Sequence, residues 1–176
     1  SCTRREMQVP SPACGGGLGG GHSSQVETSQ NLPKKMTTAY LALGSNLGAR
    51  LDNLRFAVSR LEALGVLVRK KSKIYASQSV GTGGEGDFLN AVLRVETALS
   101  APELLRVCQQ IEIEAGREAP QIGKNRVGAR ALDIDILLFG DEEWRLEDLS
   151  IPHPRALGRN FVLAPLLDVL EGGWLC

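Results

Sequence analysis

The run Arg130-Ala131-Leu132-Asp133-Ile134-Asp135-Ile136-Leu137-Leu138-Phe139 reads as a buried β-strand. Leu132, Ile134, Ile136 and Leu138 alternate on one face. The opposite face opens with Asp133 and Asp135, whose Cα atoms a two-residue strand step sets about 7 Å apart. Two carboxylates that close repel each other unless a cation lies between them. Hard oxygen ligands on a rigid strand suit Mg²⁺, which takes a few carboxylates plus phosphate oxygens. Arg130 precedes the pair, and Lys124 and Arg126 lie just upstream. Carboxylates for metal beside guanidiniums for phosphate are the parts that phosphoryl transfer uses. An Asp-x-Asp pair alone is a weak pattern, but aspartate is disfavoured in strands, so two inside an apolar run call for a reason.

The flanking chain supplies the rest of the fold. Ala39–Leu43 is a short apolar strand, turned by Gly44-Ser45-Asn46-Leu47-Gly48 into a helix with Leu51, Leu54, Val58, Leu61 and Leu64 at helical spacing and Gly65 as its stop. Val66–Tyr75 alternates β-branched and basic residues, as a half-exposed strand does. Ala76–Gly86 is a loop. Its Gly81-Thr82-Gly83-Gly84-Glu85-Gly86 fits G-x-G-x-x-G, but a strand follows instead of a helix, which points to a substrate loop or lid and not to a dinucleotide fingerprint. Phe88–Glu96 is the next strand. Ser100-Ala101-Pro102-Glu103 is a capping box that opens a helix with Leu104, Cys108, Ile111 and Ala115 on one face, Gln109 and Glu112 on another, and Gly116 at its end. A loop over 118–129 leads to the aspartate strand, which ends at Gly140. Asp141–Leu149 reads as an acidic turn with a short strand. Prolines flank the histidine in Ile151-Pro152-His153-Pro154-Arg155 and make it rigid. Arg159, Phe161 and an apolar run from Val162 to Leu167 follow. The order β-α-β-β-α-β is the ferredoxin-like α+β arrangement, an antiparallel sheet with helices packed on it.

Composition narrows the function. The chain has 176 residues and no net charge, so no overall field points to nucleic acid or a membrane. No apolar run is long enough for a transmembrane helix. Cys2, Cys14, Cys108 and Cys176 are scattered without a C-x-x-C, and His22 and His153 are the only histidines, which argues against a disulfide framework, a zinc site or a histidine-rich metal site. A reducing compartment is expected. Residues 1–36 are rich in Gly, Ser, Gln and Pro and are expected to be a disordered tail or upstream extension, with 37–176 as the functional domain. The glycines from Gly15 to Gly21 follow no strand and make no dinucleotide site. Arg4, Arg5 and nearby serines suggest a transit peptide, against which Glu6 and the glycine run count. Met36 looks like a natural start.

Five blocks, in order, carry a family resemblance: Gly44-Ser45-Asn46-Leu47-Gly48, Asp87-Phe88-Leu89-Asn90-Ala91, Ile111-Glu112 with Gly116-Arg117, Arg130 through Leu137, and Ile151-Pro152-His153-Pro154-Arg155 with Arg159-Asn160-Phe161-Val162-Leu163. From Tyr40 to Leu167 the chain resembles the 6-hydroxymethyl-7,8-dihydropterin pyrophosphokinases of folate biosynthesis. The resemblance implies transfer of pyrophosphate from ATP to the hydroxymethyl group of a reduced pterin, leaving AMP. It implies that Asp133 and Asp135 bind two Mg²⁺ ions, and that Arg117, Arg130 and Arg159 grip the triphosphate. Gln109, Glu112, Ile136, Ser150 and His153 match nucleotide-pocket positions. Gly44, Asn90 and Phe161 match the pterin site, with Ser77 and Val80 in the loop beside it. An amide such as Asn90 can meet both donors and acceptors of a pterin edge, and Phe161 can stack on the ring.

Plainer readings stand beside these. Arg117 is also suited to a helix C-terminus. Gln109 and Glu112 read equally as a solvated helix face, His153 as a turn residue, Phe161 as core, and Tyr75 as core or loop anchor. Two departures from the family pattern are visible. Arg126-Val127-Gly128-Ala129-Arg130 lacks the tryptophan and proline usual there, and Ser77-Gln78-Ser79-Val80-Gly81 lacks a proline. The chain also stops early, at Cys176. Two other functions fit the residues: a nucleotidyltransferase using the Asp-x-Asp pair, which would release pyrophosphate instead of AMP, and a non-catalytic ferredoxin-like binding module. Small-molecule substrates are expected, without nucleic acid or membrane, for a cytoplasmic monomer that is either free or joined to or associated with another folate-pathway enzyme.

Overall fold

The computed structural model describes residues 35–78, 87–116, 131–154 and 158–170. The tail expected over 1–36 falls almost entirely outside them. Within them the order is β1 (Thr37–Ser45), α1 (Arg50–Ala63), β2 (Leu67–Lys71), β3 (Tyr75–Ser77), β4 (Phe88–Thr97), α2 (Ala101–Glu114), β5 (Asp133–Phe139), β6 (Trp144–Arg145), β7 (Ser150–Ile151) and α3 (Asn160–Val169). The main sheet runs β2-β4-β1-β5, all antiparallel, with β3 also paired to β4. This is the expected ferredoxin-like α+β arrangement.

The strand period assigns the two faces. Ala39, Leu41 and Leu43 of β1, Ala91, Leu93 and Val95 of β4, and Ile134 and Ile136 of β5 pack against α1 and α2 in one core. Helix α1 buries Leu54, Ala57 and Leu61, while Leu51, expected on that stripe, is 37% exposed. Helix α2 starts at the expected capping box, with Ser100 N–H donating to Glu103 Oε2 at 2.7 Å. Gly65 (φ 82°) and Gly116 (φ 96°) follow α1 and α2 in the left-handed region that favours glycine. The other sheet face carries a second core in which Val92 and Leu137 meet Val162, Leu166 and Val169 of α3.

Three details differ from the expected elements. The strand expected over Val66–Tyr75 is two strands, because the chain leaves the ladder at residues 72–74. Ser72 fills the gap: its N–H donates to Val92 O (2.9 Å) and its Oγ accepts from Val92 N (2.8 Å). Strand β5 does not alternate to its end. Leu41 pairs Ile136 and Tyr40 pairs Leu138, so Leu137 is an extra, bulged residue. Leu138 therefore lies on the α3 face and Phe139 takes the α1/α2 face, the reverse of simple alternation. Finally, the apolar run after Phe161 is a helix with Pro165 inside it.

Cys108 lies fully buried among the α2 core residues. Burial, then the negative charges of Glu112 and Asp135, push its thiol well above the ordinary range. In a variant with Cys2, Cys14 and Cys176 changed to Ser, Cys108 is expected to react with a thiol reagent only once the protein is unfolded. Rapid reaction of the native protein would contradict this burial.

Candidate active site

The β1–α1 corner organises one end of the sheet. Ser45 Oγ donates to Ala131 O at 2.5 Å. Asn53, one turn into α1, donates from Nδ2 to Leu47 O (3.0 Å), Ala131 O (2.9 Å) and Ser45 Oγ (3.2 Å). Arg50 donates to Asp87 O. The corner thus holds the chain as it enters both β4 and β5. The Gly44-Ser45-Asn46-Leu47-Gly48 block has a structural task as well as a position at the site. Asn53 was not among the residues singled out from sequence; its bond to Ala131 spans 78 positions and leaves no local signal.

Beyond that corner a row of paired residues crosses the sheet. Tyr75 pairs Asn90, Asn90 pairs Gly44, and Gly44 pairs Asp133; one step along, Ala42 pairs Asp135. Paired residues share a face, and this is the face that α3 covers. The candidate residues Ser77, Asn90, Gly44, Asp133 and Asp135 are therefore brought together on it. Asn90 is buried, and its amide Nδ2 donates to Ser77 Oγ (2.9 Å) and Tyr75 O (3.3 Å). That assigns its Oδ1 to the Gly44 side, where a Cβ added at Gly44 would lie 3.8 Å away. Gly44 and Ala42 are the two smallest side chains available, so the floor between Asn90 and the aspartates is low.

Asp133 and Asp135 are both half-buried. No group of three or more His, Cys, Asp or Glu able to hold a metal occurs among the described residues. Two carboxylates beside two minimal side chains suit Mg²⁺, which keeps waters and phosphate oxygens as its other ligands.

The candidate nucleotide residues lie toward the free edge of β5. Glu112 of α2 is buried, and its Oε1 accepts from Ile134 N at 2.8 Å. The solvated-face reading of Glu112 is thereby excluded. Ile136 is buried in the core beneath α2. Gln109 is half-buried and lines a cavity of about 320 Å³ with Pro102, Leu105, Arg106, Leu146, Asp148 and Leu149. Ser150, half-buried, pairs Arg145 in the β6–β7 hairpin. His153 follows a cis Ile151–Pro152 bond, and its N–H donates to the carbonyl of the bulged Leu137 at 3.0 Å. The bulge thus turns a β5 carbonyl toward the edge, where it fastens the histidine segment. Phe161, in the first turn of α3, is 36% exposed, and the guanidinium of Arg159 lies 5.6 Å from its ring centre. It is not a core residue. Val80, Arg117 and Arg130 fall outside the described residues, as do the altered Arg126–Arg130 segment and residues 79–81 of the substrate loop.

A ferredoxin-like sheet with paired carboxylates at one end and a buried amide beside them defines a class: an α+β enzyme equipped for transfer of a phosphate group. Comparison with known proteins makes the class specific. Residues 40–171 match the family described as 7,8-dihydro-6-hydroxymethylpterin-pyrophosphokinase, and the chain belongs to that family. It is 45% identical to the 2-amino-4-hydroxy-6-hydroxymethyldihydropteridine pyrophosphokinase of Bacillus subtilis over 134 residues, 76% of this chain and 78% of that protein. It is 40% identical to the protein of the same name from Aquifex aeolicus, again over 76% of this chain and 81% of the relative. A folate synthesis bifunctional protein of Arabidopsis thaliana is 42% identical over 74% of this chain, which corresponds to 26% of that longer protein.

Proposed function

We propose that the α3 face at this end of the sheet is where pyrophosphate passes from ATP to 6-hydroxymethyl-7,8-dihydropterin, within residues 37–176. The chain is a pyrophosphokinase of folate biosynthesis, with ATP as co-substrate and a reduced pterin as acceptor. The pterin hydroxyl oxygen gives up its proton and forms a bond to the β-phosphorus of ATP, and the bond from that phosphorus to the α,β-bridging oxygen breaks, so the products are the pterin diphosphate, AMP and a proton. The observation that carries the assignment is the register Asn90–Gly44–Asp133, which sets an amide pocket and a carboxylate pair side by side on one rigid sheet.

Asn90 Oδ1 accepts from the pterin's amino and ring N–H groups, and Phe161 stacks on the ring. Gly44 forms the floor, with Ser77 and Val80 beside it. Asp133 and Asp135 hold two Mg²⁺ ions, which when bound offset the charge of the triphosphate. Arg117, Arg130 and Arg159 grip the phosphates. Gln109, Glu112, Ile136, Ser150 and His153 form the nucleotide side. Catalysis comes from positioning and charge stabilisation, with no covalent intermediate. We further propose a cytoplasmic monomer, free or joined to another folate-pathway enzyme as in the bifunctional relative. No helix among the described residues is long and apolar enough to cross a membrane.

The test is AMP formation from ATP and Mg²⁺, with and without the pterin. AMP that depends on the pterin supports the reading; pyrophosphate release in its place would identify a nucleotidyltransferase. Gly44→Val is expected to raise the pterin KM about tenfold or more by filling the floor, with the ATP KM unchanged. An unaltered pterin KM would remove Gly44 from the pocket.

A further inference from the structure

The excursion of the chain at residues 72–74 has a partner in α3, the helix that covers this face of the sheet. Asp168, in the last turn of α3, accepts at Oδ2 from Lys73 N–H (3.1 Å) and from Tyr75 Oη (3.0 Å). The hydrogen bond from Lys73, with that from Tyr75, holds the Asp168 carboxyl below the ordinary range, and the Asp168 bond holds the Tyr75 phenol above it. Tyr75 begins β3, which has only three residues and pairs β4 alone. So short an edge strand needs a second attachment to keep its place. Its backbone and side chains are the two acceptors that hold Asn90, namely Tyr75 O and Ser77 Oγ. These two acceptors decide which end of the Asn90 amide faces Gly44.

We propose that Asp168 is a positioning residue for pterin recognition: through Lys73 N and Tyr75 Oη it fixes β3, and through β3 it orients the Asn90 amide with its oxygen toward the pterin. The proposal rests on the pterin-site reading above. Asp168 touches neither substrate. Its effect is on specificity, because an Asn90 amide free to turn would present N–H groups to the pterin donors and lose those bonds. Helix α3 supplies both ends of the device, since Phe161 in its first turn is the proposed stacking surface and Asp168 in its last turn sets the amide.

Four variants test this: Tyr75→Phe, Asp168→Asn, Asp168→Ala and Asn90→Ala. Tyr75→Phe removes one oxygen and leaves the ring packed, so it keeps the test valid if Asp168→Ala folds poorly. Tyr75→Phe and Asp168→Asn are expected to raise the pterin KM several-fold and Asp168→Ala about tenfold, with the ATP KM and kcat within about twofold of wild type. Tyr75→Phe in the Asp168→Ala background is expected to add nothing, because the bond it deletes is already gone. A pterin KM unchanged in Tyr75→Phe and Asp168→Ala, while Asn90→Ala raises it, would overturn the positioning role alone. A pterin KM unchanged in Asn90→Ala would overturn the pterin site itself and this proposal with it. Equal loss for both substrates would also overturn it, since a general weakening of the fold makes no distinction between them.

Discussion

Asp133→Ala and Asp135→Ala are each expected to lower pterin-dependent AMP formation by roughly a thousandfold or more, while the protein stays folded. The two carboxylates stand on one face of β5, a two-residue step apart, opposite Gly44 and Ala42. Neither belongs to the two apolar cores of the sheet. The α3 core is made by Val92, Leu137, Val162, Leu166 and Val169, and the α1/α2 core lies on the other face. Both aspartates sit where strand propensity disfavours them and where each raises the electrostatic cost of the other. Removing one relieves that repulsion, so the thermal midpoint is expected to move by no more than about 4 °C. Activity and stability should therefore separate: turnover is lost while the melting curve and circular dichroism are kept. The conservative Asp→Asn changes should behave like the Ala changes in activity, because a neutral amide is a poor ligand for a hard cation. Chelation of Mg²⁺ should reproduce the loss in the wild-type protein and be reversed by added Mg²⁺. A variant that keeps near-normal turnover would remove the metal assignment from that residue.

How far the sequence alone reached depends on the range of the interaction. The aspartate face was legible because a strand repeats every two residues and Asp133 and Asp135 come before any irregularity. Beyond Ile136 the same rule failed, since the Leu137 bulge carries no marker in an unbroken apolar run and exchanges the faces of Leu138 and Phe139. The capping box at Ser100 and the stop at Gly116 are local signals and appeared where expected. Helix α3 has no clear signature in the sequence, because Pro165 interrupts a run too apolar to show a helical stripe. It buries Val162, Pro165, Leu166 and Val169 against the sheet, and that packing outweighs the missing backbone donor. The break at residues 72–74 was hidden for a different reason. The segment is tied to Asp168, 93 positions from Tyr75, and no local pattern reports so distant a bond. The same holds for the Asn53 anchor. What sequence reading located was residue types at characteristic spacings; what it missed was the set of long-range bonds that hold those residues still.

Glu112 is where the fold and the site meet, and Glu112→Ala is expected to cost about 1–3 kcal/mol of stability together with most of the activity. The residue is only 3% exposed, and its carboxylate accepts the backbone N–H of Ile134, the residue between the two aspartates. Among the described residues strand β5 is at the sheet's edge, with no strand on its outer side to take that N–H. A helix side chain takes that place. Truncation to Ala strands a buried donor and opens a void under β5, and both effects act on the segment that carries Asp133 and Asp135. A drop of about 5–10 °C in thermal midpoint is the expected reading for a loss near 2 kcal/mol. Glu112→Gln separates the two tasks. The amide oxygen can still accept from Ile134, so the midpoint should return to within a few degrees of wild type. If the carboxylate charge also serves the nucleotide, Glu112→Gln keeps this stability but raises the ATP KM; if Glu112 acts only by bracing β5, both stability and ATP KM recover. A Glu112→Ala protein as stable as wild type would mean that the Ile134 N–H finds another partner and that α2 does not brace the aspartate strand.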